Sequence, residues 1–262
     1  MPPVSITEFY TRHAELYDAI CADRDFEMQV SAILQMFSPG EKPRRALELF
    51  AGPAYHTGIL QWTHGIDTFC VDASPAMREV ALAQGRCQAA QYVLGRIPEA
   101  LNELPGRFDL VLAPRYSLGY LDRQQLRATL ATLSRVLQPG GLFIAELHQI
   151  QLLVSGLDQL GIRCREARLG RLRARCWWPD AGLAWSETDW KVRMDVRVRW
   201  EDNAGDVTDE QHFVSEEQLY SRDELIDLAK ATGGFEAEPL TARHLEAFPG
   251  TSLVVLRRRG HV

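Results

Sequence analysis

Two acidic residues close short apolar runs: Glu48 in "ALELFAGPAYHT" and Asp72 in "DTFCVDASPAM". A carboxylate at the end of a strand can accept both hydroxyls of a ribose. Between them Gly52 stands in a turn where a ligand could approach the backbone closely; Phe50 and Ala51 occupy neighbouring positions that would usually favour glycine. Arg115 and Tyr116 follow "FDLVLAP", and Glu146 and His148 end "GLFIAELH", two residues apart and so on one side of a strand. His148 is the proton acceptor best placed by position, with a hydrogen-bonded helix-cap histidine as the structural alternative. Arg115 suits a carboxylate or phosphate on a substrate, or a solvated loop. His212 and Tyr220 lie in a later segment that could close over a substrate, although a histidine on a strand face has many ordinary uses. His56 reads as a packing residue at the start of a helix. The His, Cys and acidic residues show no metal-ligand spacing, so no metal is expected.

Bringing these residues together requires strand ends that share one edge. "RALELF", "DTFCVD", "AQYVLG", "FDLVLAP" and "GLFIAEL" alternate with helical stretches, which predicts right-handed crossovers and a mostly parallel sheet with helices on both faces. Residues 5–22 and 26–37 read as two preceding helices. After His148 comes a helix over 150–161, and then the pattern changes. In "WKVRMDVRVRW", Trp190, Val192, Met194, Val196, Val198 and Trp200 face one way and the charged residues the other, a half-buried strand. "VTDEQHFVSEEQLY" is its antiparallel partner and "CWWPDAGLAWSETDW" supplies one or two more strands. "SRDELIDLAKATGGF" is a helix capped by Ser221 with Glu224 three residues on and closed by Gly233-Gly234. "GTSLVVLRRR" gives a last strand.

With 262 residues, 46% of them hydrophobic, the chain can bury a full core. A net charge of -6 argues against a general nucleic-acid binder. Five cysteines without a CxxC pair suggest neither a disulfide framework nor a zinc knuckle and fit a reducing cytoplasm. No stretch approaches the roughly 20 apolar residues of a membrane span, and the start lacks a leader pattern, so a soluble, cytoplasmic protein is expected. The arginine run "RCREARLGRLRAR" reads as a solvated face, or as a patch for an acidic substrate or RNA. "CWW" reads as core or subunit contact, or as an aromatic cage for a methylammonium.

In the order and spacing of its motifs the chain resembles the class I S-adenosylmethionine-dependent methyltransferases, in their small-molecule subgroup. "LELFAGPAYHT" resembles that family's first-strand motif, "VDASPAM" its ribose-binding motif, "FDLVLAPRYSLGYL" its fourth strand and loop, and "LSRVLQPGGLFIAELH" its Pro-Gly-Gly turn and fifth strand. The resemblance implies a Rossmann-like, seven-stranded mostly parallel sheet with S-adenosyl-L-methionine as cofactor. Glu48, Ala51 and Gly52 would line the methionine part, Asp72 would hold the ribose, and Ala73, Ser74 and Met77 would lie near adenine, with Ala113 at the fourth strand's end. Gly95-Arg96-Ile97 stands where the family often has Gly-Asp-apolar; Arg96 cannot accept a hydrogen bond, so adenine recognition there must use backbone groups or stacking. Tyr17, in the lid-like "AELYDAI", would contact the cofactor's carboxylate end and joins His148 and His212 among the catalytic candidates. Tyr10, Arg115, Tyr116, His148, His212 and Tyr220 are the candidate substrate contacts; Tyr10 and Tyr17, on one helical face, equally suit packing.

The implied organisation is a helical lid over 1–43, a cofactor-binding core over 44–162, an inserted antiparallel sheet over 163–220 that covers substrate or pairs across a homodimer, and a return to the core over 221–262. The expected reaction is in-line methyl transfer to a nitrogen, oxygen or carbon of a small molecule. The competing readings are a nucleotide-dependent oxidoreductase of Rossmann type, against which the missing GxGxxG stands, a non-catalytic binding protein with a decayed site, and an RNA methyltransferase.

Overall fold

The computed structural model describes residues 4–38, 40–155, 164–180, 183–232 and 234–260. The chain divides into two compact units, Met1–Arg24 with Ile150–Leu219, and Asp25–Gln149 with Tyr220–Val262.

The larger unit is built on a seven-stranded sheet. Its order is Phe235–Ala237, Thr251–Arg258, Leu137–His148, Phe108–Ala113, Arg45–Leu49, Asp67–Asp72, Tyr92–Leu94. Thr251–Arg258 runs antiparallel to both neighbours and the other pairings are parallel. The five apolar runs form strands because both faces of the sheet are covered, so consecutive residues can all be apolar. Leu47, Leu49, Val71, Val111 and Phe143 pack on one side with Leu126, Leu130 and Leu225. Ala46, Leu110, Leu112 and Ile144 pack on the other with Val30, Ile33 and Leu60. From Arg45–Leu49 the chain moves outward through two strands and then returns on the opposite side at Phe108–Ala113. That reversal opens a crevice at the carboxyl ends of these two strands, where open parallel sheets bind ligands. Side-chain caps fix the helices that follow: Ser74 accepts from Met77 N (3.3 Å), Asp122 and Gln125 form a capping box, and Ser221 accepts from Glu224 N (3.0 Å).

In the smaller unit, Val207–Gln218, Lys191–Glu201, Leu172–Trp177 and Cys164–Leu169 pair antiparallel in that order, Leu183–Ser186 also pairs with Lys191–Glu201, and the two-residue strand Val4–Ser5 joins Val207–Gln218 in parallel. Val192, Met194, Val196 and Val198 are buried, as the alternation requires. Trp190 departs from it, lying outside the strand at φ 52° and exposed. A register shift after Trp200 turns Glu201 inward.

The expected helix over 5–22 is two helices, Ile6–Arg12 and Ala14–Cys21. The break falls at His13 (φ -128°), whose ring bonds Gln211 Oε1 (2.8 Å). The second expected helix ends at Leu34 rather than 37. The continuation of the helix at 150 beyond residue 155, and Gly233, lie outside the described residues.

The arginine run forms most of a hairpin, Cys164–Leu169 with Leu172–Trp177. Arg165 pairs with Asp23 (2.9 Å), Arg168 donates to Asn203 (2.7 Å) and Arg175 lies 3.3 Å from Glu201. Trp177 lies beneath the Arg197 guanidinium (3.9 Å), and Trp178 packs in an aromatic cluster with Phe9, Tyr10 and Tyr17. Among the described residues no helix is long and apolar enough to cross a membrane.

Candidate active site

The turn after the first core strand carries three left-handed residues in five: Phe50 (φ 52°), Gly52 (φ 50°) and Ala54 (φ 60°). Only Gly52 adopts this conformation without steric cost; an L residue there costs roughly 1–2 kcal/mol. The substituted positions are therefore 50 and 54, not 50 and 51. Ala51 is nearly buried and donates its N–H to Val71 O (3.1 Å).

Asp72 faces this turn across the adjoining strand. Its Oδ2 accepts from Gly52 N (2.9 Å) and its Oδ1 from Ser74 N (2.8 Å). Two ring-like contacts thus tie the ends of two neighbouring strands to one carboxyl. The Ala73 amide also faces this carboxyl, so backbone donors surround an acceptor that offers about four lone pairs. Burial pushes the Asp72 carboxyl above its ordinary range, while the Ser74, Gly52 and Ala73 amides pull it back.

Glu48 is turned inward. Its Oε1 bonds His56 Nδ1 (2.9 Å), and its Oε2 accepts from Thr57 N (2.9 Å) and Thr57 Oγ1 (2.6 Å). His56 Nε2 in turn meets Gln29 Oε1 (3.0 Å). The carboxylate therefore caps helix Tyr55–Trp62 from the preceding strand, supplying the charge that a helix N-terminus favours. Ala54 at the N-cap offers no side-chain bond, which explains why the acceptor comes from elsewhere. Sequence reasoning gave His56 a packing role and missed this chain of bonds. The spacing of Glu48 and His56 around a turn was the available signal.

At the crevice end of the fourth and fifth core strands, Tyr116 and His148 stack face to face, with ring centroids 4.2 Å apart and planes at 14°. Arg115 (φ 58°) and Tyr116 (φ 61°) are consecutive left-handed residues. Such strain persists only where the surroundings over-determine it, and it concentrates at functional sites. The Tyr116 hydroxyl donates to Gly250 O (3.4 Å). A small pocket beside them is lined by His56, Ala113, Pro114, Ile144, Glu146 and Phe248, among others. Glu146 is buried in its wall.

Residues 46–141 match the profile of a family described as methyltransferase domain. No curated protein sequence matches the chain. Three similar solved structures are an S-adenosylmethionine-dependent methyltransferase from Clostridium acetobutylicum (20% identity, 95% of this chain and 98% of that one, TM-score 0.69), a sugar N-methyltransferase from a Streptoalloteichus species (21%, 93% of each chain, TM-score 0.72) and an amino pentose methyltransferase from Micromonospora echinaspora (19%, 93% and 96%, TM-score 0.68). At such identities the likeness establishes the fold, which is that of the class I S-adenosylmethionine-dependent methyltransferases.

The larger unit brings Glu48, Ala51, Gly52, Asp72, Ala73 and Ser74 to adjoining strand ends. Met77 and Ile97 are buried, whereas Arg96 is exposed just beyond strand Tyr92–Leu94, which pairs with Asp72. Tyr220, a candidate substrate contact by sequence, is a core residue: it is buried and its hydroxyl donates to Leu121 O (2.6 Å). Tyr10, Tyr17 and His212 belong to the other unit. There Tyr10 and Tyr17 pack edge to face (5.1 Å). His212 lies on the charged face of its sheet, opposite Arg197 and 3.5 Å from Glu210, because the strand alternation assigns the packed face to Phe213. Among the described residues no group of three His, Cys, Asp or Glu could hold a metal.

Proposed function

We propose that this chain is an S-adenosylmethionine-dependent methyltransferase that methylates an amino group of a small, sugar-like molecule. The observation that carries this reading is the Asp72 carboxylate, bonded to Gly52 N in the left-handed turn and to Ser74 N at the end of its own strand. Two vicinal hydroxyls of a ribose match the two oxygens of one carboxylate. Gly52, Ala51 and the turn around them would hold the sulfonium end, and Arg96 lies where an adenine would have to be met by stacking or backbone groups. Bound there, the cofactor supplies an electrophilic methyl group. The protein's own contribution is alignment of the nucleophile and exclusion of water. His148, held by its stack on Tyr116, accepts the proton that an attacking amine must lose. The sugar N-methyltransferase and the amino pentose methyltransferase among the similar structures support an amine as nucleophile.

A mass-spectrometric assay with amino sugars and their hydroxy counterparts tests the reading. Methyl gain on the amine alone is expected; methyl gain on neither, with NADH binding by fluorescence, would point to the oxidoreductase alternative. His148→Ala should lower kcat about tenfold with little change in cofactor affinity. That is less than the usual 10²–10⁴ for a general base, because an ammonium product also releases its proton to water.

The raised position of Asp72 sets a pH dependence. The ionised carboxylate is the form with acceptors for both hydroxyls, so cofactor affinity should be full above the pKa of Asp72 and fall as pH drops through it. Because burial raises that pKa, the loss should begin at a higher pH than an ordinary aspartate would give. Calorimetric titrations across the acid range would read the midpoint, and a midpoint at or below the usual aspartate value would contradict the assignment.

A further inference from the structure

Phe50 and Ala54 hold left-handed backbone with a β-carbon attached, so the turn is not maintained by its own residues alone. Support comes from the loop that follows helix Pro75–Ala83. Arg86 Nη1 donates to Pro53 O (3.2 Å), and its guanidinium lies 3.9 Å from the centroid of the Tyr55 ring. Tyr55 is stacked in turn on Phe26, with centroids 4.3 Å apart and planes 2° from parallel. The residues on either side of Ala54 are thus gripped by one side chain. Close approach is possible because residue 58 is glycine: a β-carbon there would sit 3.1 Å from Arg86 Cβ. Beneath the same turn the Tyr92 hydroxyl donates to Gly52 O (2.8 Å).

We propose that Arg86 is a positioning residue for the cofactor turn: from outside, it enforces at Ala54 the left-handed conformation that a glycine would adopt unaided. Its effect on the turn stands on the geometry alone; its effect on cofactor binding rests on the reading under Proposed function. Arg86 carries out this task through the Pro53 carbonyl and the Tyr55 ring, and touches no reacting atom in doing so.

The test is a two-by-two comparison on the full chain, Arg86→Met in the native sequence and in an Ala54→Gly background. Two quantities are read: the dissociation constant for S-adenosylmethionine and the hydrogen-exchange rates of the amides of Ala51, Gly52, Ala54 and Tyr55 without ligand. In the native background Arg86→Met should raise the dissociation constant about tenfold and speed exchange in proportion. With glycine at 54 the same change should matter threefold or less, because the conformation no longer needs enforcement. Equal effects in both backgrounds would overturn the proposal. Should Arg86→Met not fold, Arg86→Lys, which keeps charge and stem but loses the planar stack, is read the same way. Absence of any S-adenosylmethionine binding by the native protein would sink the functional reading only, and the exchange ratios would still decide the role of Arg86.

Discussion

Asp72→Ala is expected to weaken S-adenosylmethionine binding at least a hundredfold, close to the limit of calorimetric detection. Two losses combine. The ribose hydroxyls lose both of their acceptors, at about 1.5–3 kcal/mol for a hydrogen bond to a charged group. The amides of Gly52 and Ser74, each now bonded to this carboxylate at 2.9 and 2.8 Å, lose their partner, so the turn and the start of helix Pro75–Ala83 are no longer tied together. A hundredfold change corresponds to about 2.7 kcal/mol, which either loss could nearly supply alone. Asp72→Asn should fall in between: it keeps the shape, but its amide nitrogen would face one of the two backbone N–H groups. Fold should be largely retained in both, as circular dichroism can check, since Asp72 lies at the sheet edge.

Glu48→Ala is expected to act on stability, by about 3–5 kcal/mol in urea denaturation, since three buried polar groups lose a partner at roughly 1–3 kcal/mol each. The carboxylate is almost fully buried and serves His56, Thr57 N and Thr57 Oγ1. Its removal leaves three buried polar groups without their acceptor and strips helix Tyr55–Trp62 of its only described N-terminal carboxylate contact. Glu48→Gln should cost less, because one acceptor remains. A loss below about 1 kcal/mol for Glu48→Ala would mean that water or a shifted side chain replaces the carboxylate readily.

These two residues differ in how far the sequence discloses them. Both are acidic residues ending apolar runs, and by pattern alone they look equivalent. The structure separates them: Asp72 holds the turn and the strand end at the crevice, while Glu48 turns toward a helix that begins seven residues later. Direction of this kind depends on the turn between them, and the turn depends on left-handed residues that sequence rules assign to glycine. Phe50 and Ala54 give no local signal of it, because what holds the turn, Arg86 at the Pro53 carbonyl and Tyr92 at the Gly52 carbonyl, comes from more than 30 residues further along the chain. The alternating strands and helices of the core were legible because burial on both faces of a parallel sheet demands uninterrupted apolar runs. Likewise, the strict alternation of Val192 to Val198 announced a half-buried strand.

Where the pattern misled, long-range contacts decided. His13 looks like any polar residue in a helix, yet its bond to Gln211, far along the chain, accompanies the break there. The arginine run carries no apolar periodicity, and its hairpin is fixed by pairing with the neighbouring strand and by Asp23, Asn203 and Glu201. Tyr220, a candidate substrate contact by sequence, is core, since its hydroxyl finds the Leu121 carbonyl.

The most direct measurement is a crystal structure of the chain grown with S-adenosylhomocysteine. Both ribose hydroxyls should lie within hydrogen-bond distance of the Asp72 oxygens, with the thioether beside residues 50–54 and its open side toward Tyr116 and His148. Nucleoside density at any other edge of the sheet, or a ribose turned away from Asp72, would contradict the account.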